Sequence, residues 1–251
     1  ATVPHNRQIS LPSFQTASLI MKLSDYRYIF IVTYARSGST LLQSLINTAL
    51  GADVKGENTN ALYHLYKSYA SLALTAERGT EKTRERDNPW YGAADIAADQ
   101  FLTTALTAFI SDILRPAAGT KITGFKEVRY ANGFMDREEF KNYANFLLRV
   151  FPNSRIVCNS RDAKEVAKSG FLKERSAESV IHNVERCDIR FQALVGSHPE
   201  RCIAVRHGVY NKDPEKLRAL FDFLELEFDE DRVKAVLEKP LLHAKGPETR
   251  S

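Results

Sequence analysis

An apolar, β-rich run, Tyr28-Ile29-Phe30-Ile31-Val32, passes through a short polar turn into an amphipathic helix that opens at Ser39. Strand, small-residue loop and helix in that order constrain the fold strongly. The order sets the unpaired N–H groups and positive end of a helix at the C-terminal end of a strand, where they hold an anion. Around Gly38 the turn adds a cation, Arg36, and three hydroxyls, Ser37, Ser39 and Thr40. The nucleotide loop G-x-x-x-x-G-K-[ST] has a leading glycine and a lysine after the second one. Here no glycine opens the turn, Ser39 follows Gly38, and the cation precedes the glycine by two residues. The reading is a phosphate or sulfate cradle of another kind. A serine-capped crossover turn would explain the hydroxyls, but not the long basic residue among them.

The rest of the chain repeats the theme. Strands are expected at 28–34, 121–128, 154–159 and 202–206. Helices are expected at 39–50, 59–78, 94–114, 137–150, 162–173, 176–195, 212–225 and 230–238. Strands alternating with helices predict an α/β fold, a central parallel sheet flanked by helices. Helices outnumber strands, so some of them are expected to form a cap. A second strand–loop–helix begins at Ser154, with Arg161-Asp162 at the strand end and Ser169 eight positions after Arg161. Asp162 suits a helix N-cap. A surface Arg–Asp pair beside a solvated serine accounts equally well for these residues taken alone.

Tyr34-Ala35-Arg36-Ser37-Gly38-Ser39-Thr40-Leu41-Leu42 resembles the 5′-phosphosulfate loop of sulfotransferases, enzymes that use 3′-phosphoadenosine 5′-phosphosulfate (PAPS). Arginine in the loop is similar to the carbohydrate, tyrosylprotein and bacterial branches. Arg161 with Ser169 resembles the family's 3′-phosphate motif, and the run from Asp213 to Leu224 resembles its C-terminal helix. The resemblance implies a P-loop-like nucleotide-binding core with a helical acceptor-binding cap, and PAPS as co-substrate without a metal. Arg36, Ser37, Gly38, Ser39 and Thr40 would hold the 5′-phosphosulfate. Arg161, Ser169 and Lys245, the last in a basic-glycine segment, would hold the 3′-phosphate.

The resemblance also implies the catalytic groups. Glu57, 21 positions after Arg36, falls where tyrosylprotein and several carbohydrate sulfotransferases carry a Gly-Glu base. No Lys-Thr-His segment of the cytosolic phenol branch is present. Lys126, in Gly124-Phe125-Lys126-Glu127, is the second catalytic cation, and Glu127 and Arg129 hold either that lysine or the acceptor. From residue type alone, Glu57 reads equally as a capping glutamate and Lys126 as an edge-strand gatekeeper. Trp90, Tyr63 and Glu127 are the expected acceptor contacts. The acceptor is a small-molecule or glycan hydroxyl, with a carbohydrate or bacterial metabolite favoured. A P-loop kinase-like phosphotransferase and a non-catalytic nucleotide-binding protein of the same fold are the alternatives.

Residues 1–27 are expected to form an N-terminal arm, with Met21 as a native start, and 28–251 a single domain in which 58–120 is the acceptor-binding cap or lid. The net charge of +4 suits a binder of an anionic nucleotide and, without a block of like charges, points to neither nucleic acid nor membrane. The three cysteines, Cys158, Cys187 and Cys202, show no paired spacing. That fits a reducing compartment, hence a cytoplasmic protein or else the soluble catalytic domain of a Golgi-lumen enzyme. The six dispersed histidines form no metal pattern, and no run has the length of a membrane span.

Overall fold

The structure, a computed structural model, describes residues 23, 25–131 and 133–239. Lys245 and most of the expected N-terminal arm lie outside the described residues. The chain divides into two compact units, one containing Asn60–Arg115 and the other Asp25–Thr59 with the residues from Pro116 onward.

The larger unit is built on an all-parallel sheet of β1 (Arg27–Val32), β2 (Ala52–Lys55), β3 (Ile122–Glu127), β4 (Ser154–Ser160) and β5 (Cys202–Arg206), in the order β2-β3-β1-β4-β5. Helices α1 (Ser39–Ile46), α4 (Arg137–Val150), α5 (Ala163–Ala167), α6 (Ala177–Ser197), α7 (Pro214–Phe223) and α8 (Glu230–Glu238) accompany it, with α2 (Ala61–Ala76) and α3 (Ala98–Ala108) in the smaller unit. The central strand β1 is buried along nearly its whole length, as a parallel strand covered on both faces must be. Ile29 and Ile31 join a core with Leu42, Leu45, Phe221 and Leu224. On the alternate positions Phe30 packs its ring 5.2 Å from those of both Phe125 and Phe151. From β1 the chain runs outward to β2 and back to β3, then crosses to β4 and β5 on the other side. That reversal opens a crevice beyond the C-terminal strand ends, where α/β proteins bind ligands.

Strand β2 was not expected. Ala-Asp-Val-Lys carries no apolar run, and its pairing with β3 from Ala52↔Ile122 to Lys55↔Phe125 makes it a strand. It also makes β3 an interior strand, so Lys126 is no edge gatekeeper. The helix expected over 162–173 stops at Ala167, and a separate 3₁₀ segment follows over Gly170–Glu174. Lys168 and Ser169 separate the two, and Gly170, with φ +56, opens the second.

In the smaller unit, α2 (Ala61–Ala76) is followed by α3 (Ala98–Ala108), which widens into a π-helical turn over Phe109–Leu114. The single helix expected over 94–114 is thus three pieces: a 3₁₀ turn at Ala93–Asp95, α3 and the π turn. Within this unit Trp90 lies under the Arg78 guanidinium, 4.2 Å from the ring centre. Tyr63 is buried on α2.

Candidate active site

The turn between β1 and α1 is held from beneath by buried polar groups. The hydroxyls of Thr33 and Ser37 stand 2.6 Å apart, Thr33 Oγ1 reaches the Asn159 carbonyl at 2.8 Å, and Asn159 Nδ2 donates to the Ser37 carbonyl at 3.2 Å. All three residues are fully buried. Ser37 therefore faces the protein and supports the loop, while Arg36, Gly38, Ser39 and Thr40 line the cavity. Gly38 adopts φ +81 just before α1. Among the described residues, no protein acceptor meets the N–H groups of Gly38, Ser39 or Thr40. These donors at a helix start fit an anionic group.

Arg36 has φ +65, a left-handed conformation that a side-chain-bearing residue rarely adopts. Two contacts hold it. Its Nε donates to Ser169 Oγ at 3.1 Å, and Arg161 Nη1 donates to its carbonyl at 3.2 Å. A Cβ on Gly170 would come within 2.7 Å of Arg36 Nε, so the arginine side chain packs close against that glycine. The early end of α5 is what lets Ser169 reach the cradle. Arg161 also pairs with Glu165 at 3.0 Å, and Asp162 caps α5 by accepting from the Lys164 and Glu165 N–H groups.

On the β2–β3 side of the cradle stands an ion-paired cluster. Lys126 Nζ lies 2.6 Å from Glu57 Oε1, with Lys126 almost fully buried and the Glu57 side chain 40 % exposed. Arg129 reaches Glu57 Oε2 at 3.7 Å and Glu127 Oε1 at 2.9 Å. Glu127 is wholly buried, and it accepts from the N–H groups of Asn58 and Val128. It thus pins the segment carrying Glu57 and the arginine beside it, and it is a positioning group rather than a surface for an acceptor. A backbone bridge between Tyr34 and Arg129 joins this cluster to the start of the cradle.

On the β4–β5 side, the Tyr34 hydroxyl bonds to both the N–H and the carbonyl of Arg161, at 2.9 and 3.1 Å. Burial raises the Tyr34 pKa well above its usual value, with Asp188 adding to the effect. Burial also lifts Asp188 to about 6, against the nearby Tyr34 hydroxyl and the charge of Arg206. His207, just after β5, presses its ring on the cradle, and a Cβ at Gly38 would fall 2.1 Å from its Cδ2. Burial, then the Arg161 charge, lowers the His207 pKa.

A cavity of about 650 Å³ joins these parts and is lined by residues of the larger unit. The structure brings Arg36, Gly38, Ser39, Thr40, Glu57, Lys126 and Arg161 to its wall. Sequence reasoning missed His207, Asn159, Phe134, Phe171 and Arg175. Asn159 alone carried a signal, a polar residue closing an apolar strand. Among the described residues, no three His, Cys, Asp or Glu side chains are grouped to hold a metal ion. No described helix is long and apolar enough to cross a membrane.

A parallel sheet whose central strand ends in a turn with open N–H groups, flanked by an ion-paired carboxylate and lysine, fits a group-transfer enzyme. The profile of the sulfotransferase family matches residues 28–230, and the chain belongs to that family, whose chemistry is sulfuryl transfer. No curated relative matches it.

Proposed function

We propose that the protein is a PAPS-dependent sulfotransferase that sulfates a hydroxyl group and releases adenosine 3′,5′-bisphosphate. The donor supplies a sulfuryl group on a phosphate leaving group. Family membership and the cradle geometry support this reading, and the observation that carries it is the pairing of two cationic ends. Arg36, steadied by Ser169 at 3.1 Å, and the free N–H groups at α1 form one end, and Arg161 forms the other, joined by the Arg161–Arg36 carbonyl bond of 3.2 Å; Ser169 is retained beside Arg161 as a phosphate contact by resemblance. Two ends suit a nucleotide with a phosphate at each of two positions. Lys245 is retained as a third contact by resemblance alone.

Glu57 takes the proton of the acceptor hydroxyl as its oxygen bonds to sulfur and the sulfur–phosphate oxygen bond breaks. Lys126 orients Glu57 through the 2.6 Å pair and offers its charge to the transferring group. Arg36 faces the oxygens on which negative charge grows. Glu127 keeps Arg129 and the Glu57 segment in register. Trp90 and Tyr63, expected as acceptor contacts from the sequence, belong to the smaller unit.

The test uses Glu57→Gln. The variant binds adenosine 3′,5′-bisphosphate with wild-type affinity in a calorimetric titration while kcat falls about 10²–10⁴-fold, the range for loss of a general base. Wild-type turnover by the variant removes Glu57 from the reaction, and wild-type protein that binds no bisphosphate removes the donor reading.

A further inference from the structure

The strand order sorts the cavity. Arg161 and His207 lie on the β4–β5 side of the cradle, and Glu57, Lys126 and Arg129 on the β2–β3 side. The same cavity is also lined by a set of apolar side chains, Ala131, Phe134, Phe171, Leu172, Val180 and Val184, which form its apolar wall. One member of the wall is tied to the cradle, because Phe171 follows Gly170, on which the Arg36 guanidinium rests. Its two sides are stitched together. Arg190 of α6 donates to the carbonyls of Tyr130 and Met135, both at 3.0 Å, which sets α6 against the 130–135 segment.

Phe134 and Phe171 are 57 % and 55 % exposed, two large rings opening on one cavity. The Arg175 guanidinium stands 6.0 Å from the Phe171 ring centre. No carboxylate is seen to pair with Arg175 among the described residues. On this wall, Asn183 and Arg175 are the polar side chains. A sugar carries hydroxyls around its ring, and each one leaving water needs a partner. A wall with so few polar groups meets that need poorly, whereas aromatic rings and a guanidinium favour a flat apolar ring.

We infer that the acceptor is an aromatic hydroxyl compound, its ring held by Phe134 and Phe171 and its hydroxyl turned toward Glu57. This rests on the sulfuryl-transfer reading above and departs from the carbohydrate expected by resemblance. A phenolic hydroxyl also gives up its proton more readily than an alcohol, which eases the work of a carboxylate base.

The experiment titrates 2-naphthol, and separately N-acetylglucosamine, into protein saturated with adenosine 3′,5′-bisphosphate. The naphthol binds with a Kd below about 1 mM and at least about tenfold more tightly than the sugar. Phe134→Ala and Phe171→Ala each weaken naphthol about tenfold, the loss of one ring contact, and leave bisphosphate affinity unchanged. Protein that takes up bisphosphate but prefers the sugar, or binds naphthol equally well in both variants, overturns the inference alone. Protein that does not bind the bisphosphate overturns the donor reading and the inference with it.

Discussion

Replacing Gly38 by alanine tests how the cradle is held. The residue has φ +81, which costs a side-chain-bearing residue about 1–2 kcal/mol. The new methyl would also stand 2.1 Å from His207 Cδ2 and 2.8 Å from its Nε2. The His207 backbone is fixed, since its main-chain N–H is bound to the Ser160 carbonyl at 2.7 Å, and the ring is flanked by Tyr210, which it meets edge-on. Overpacking of this kind costs a further ~1–3 kcal/mol. Together the effects lower stability by about 2–5 kcal/mol, or roughly 4–20 °C in Tm for a chain of this size. His207→Ala in the Gly38→Ala background removes the steric part and leaves the backbone part, so the double variant recovers about half of the loss. Thermal melts of wild type, both single variants and the double variant give the coupling directly. Additive single effects would refute the packing of His207 on the cradle. Gly38→Ala also weakens bisphosphate binding at least about tenfold, because the N–H groups before α1 move with the loop.

Lys126→Met keeps the length of a buried side chain and removes its charge. We expect kcat to drop about 10²–10³-fold, as for loss of one charge-stabilising donor, with bisphosphate affinity changed less than about twofold; unchanged kcat would remove Lys126 from the chemistry. Asp188, at about 6 in the folded chain against an ordinary 3.8, binds its proton more tightly when folded. Its contribution to stability is complete below about pH 4 and lost as pH rises through 6. At this half-buried site the loss, screened by solvent, is about 1 kcal/mol. Asp188→Asn therefore gains stability over wild type in urea melts at pH 7.5 and gains little at pH 4.5; an equal change at both would contradict the assignment.

Much of the sheet could be read from the sequence because apolar runs at β1, β3, β4 and β5 end in turn-forming residues. Strand β2 escaped because its Asp53 and Lys55 pair with each other across one strand face, a pairing that local hydropathy hides. The ends of α5 escaped because Ser169 leaves the helix to meet Arg36, a long-range contact. Arg36, Glu57, Lys126 and Arg161 meet at one cavity, a grouping that the family resemblance implied and that residue type alone left open for Glu57 and Lys126. Ser37 reads as a ligand by type and proves to be a buried support, since nothing local tells which way a hydroxyl turns. His207 and the Phe134–Phe171 wall carry no motif and come together through strand order and the packing of α6.

The central claim is that the cradle and Arg161 hold two phosphates of one nucleotide. Comparing the affinities of adenosine 3′,5′-bisphosphate and adenosine 5′-monophosphate in wild type and Arg161→Ala tests it most directly. Wild type prefers the bisphosphate at least about tenfold, the worth of a charge-assisted phosphate contact, and Arg161→Ala binds the two nucleotides within about twofold of each other. A variant that keeps the wild-type preference, or a wild type that has none, would contradict the account.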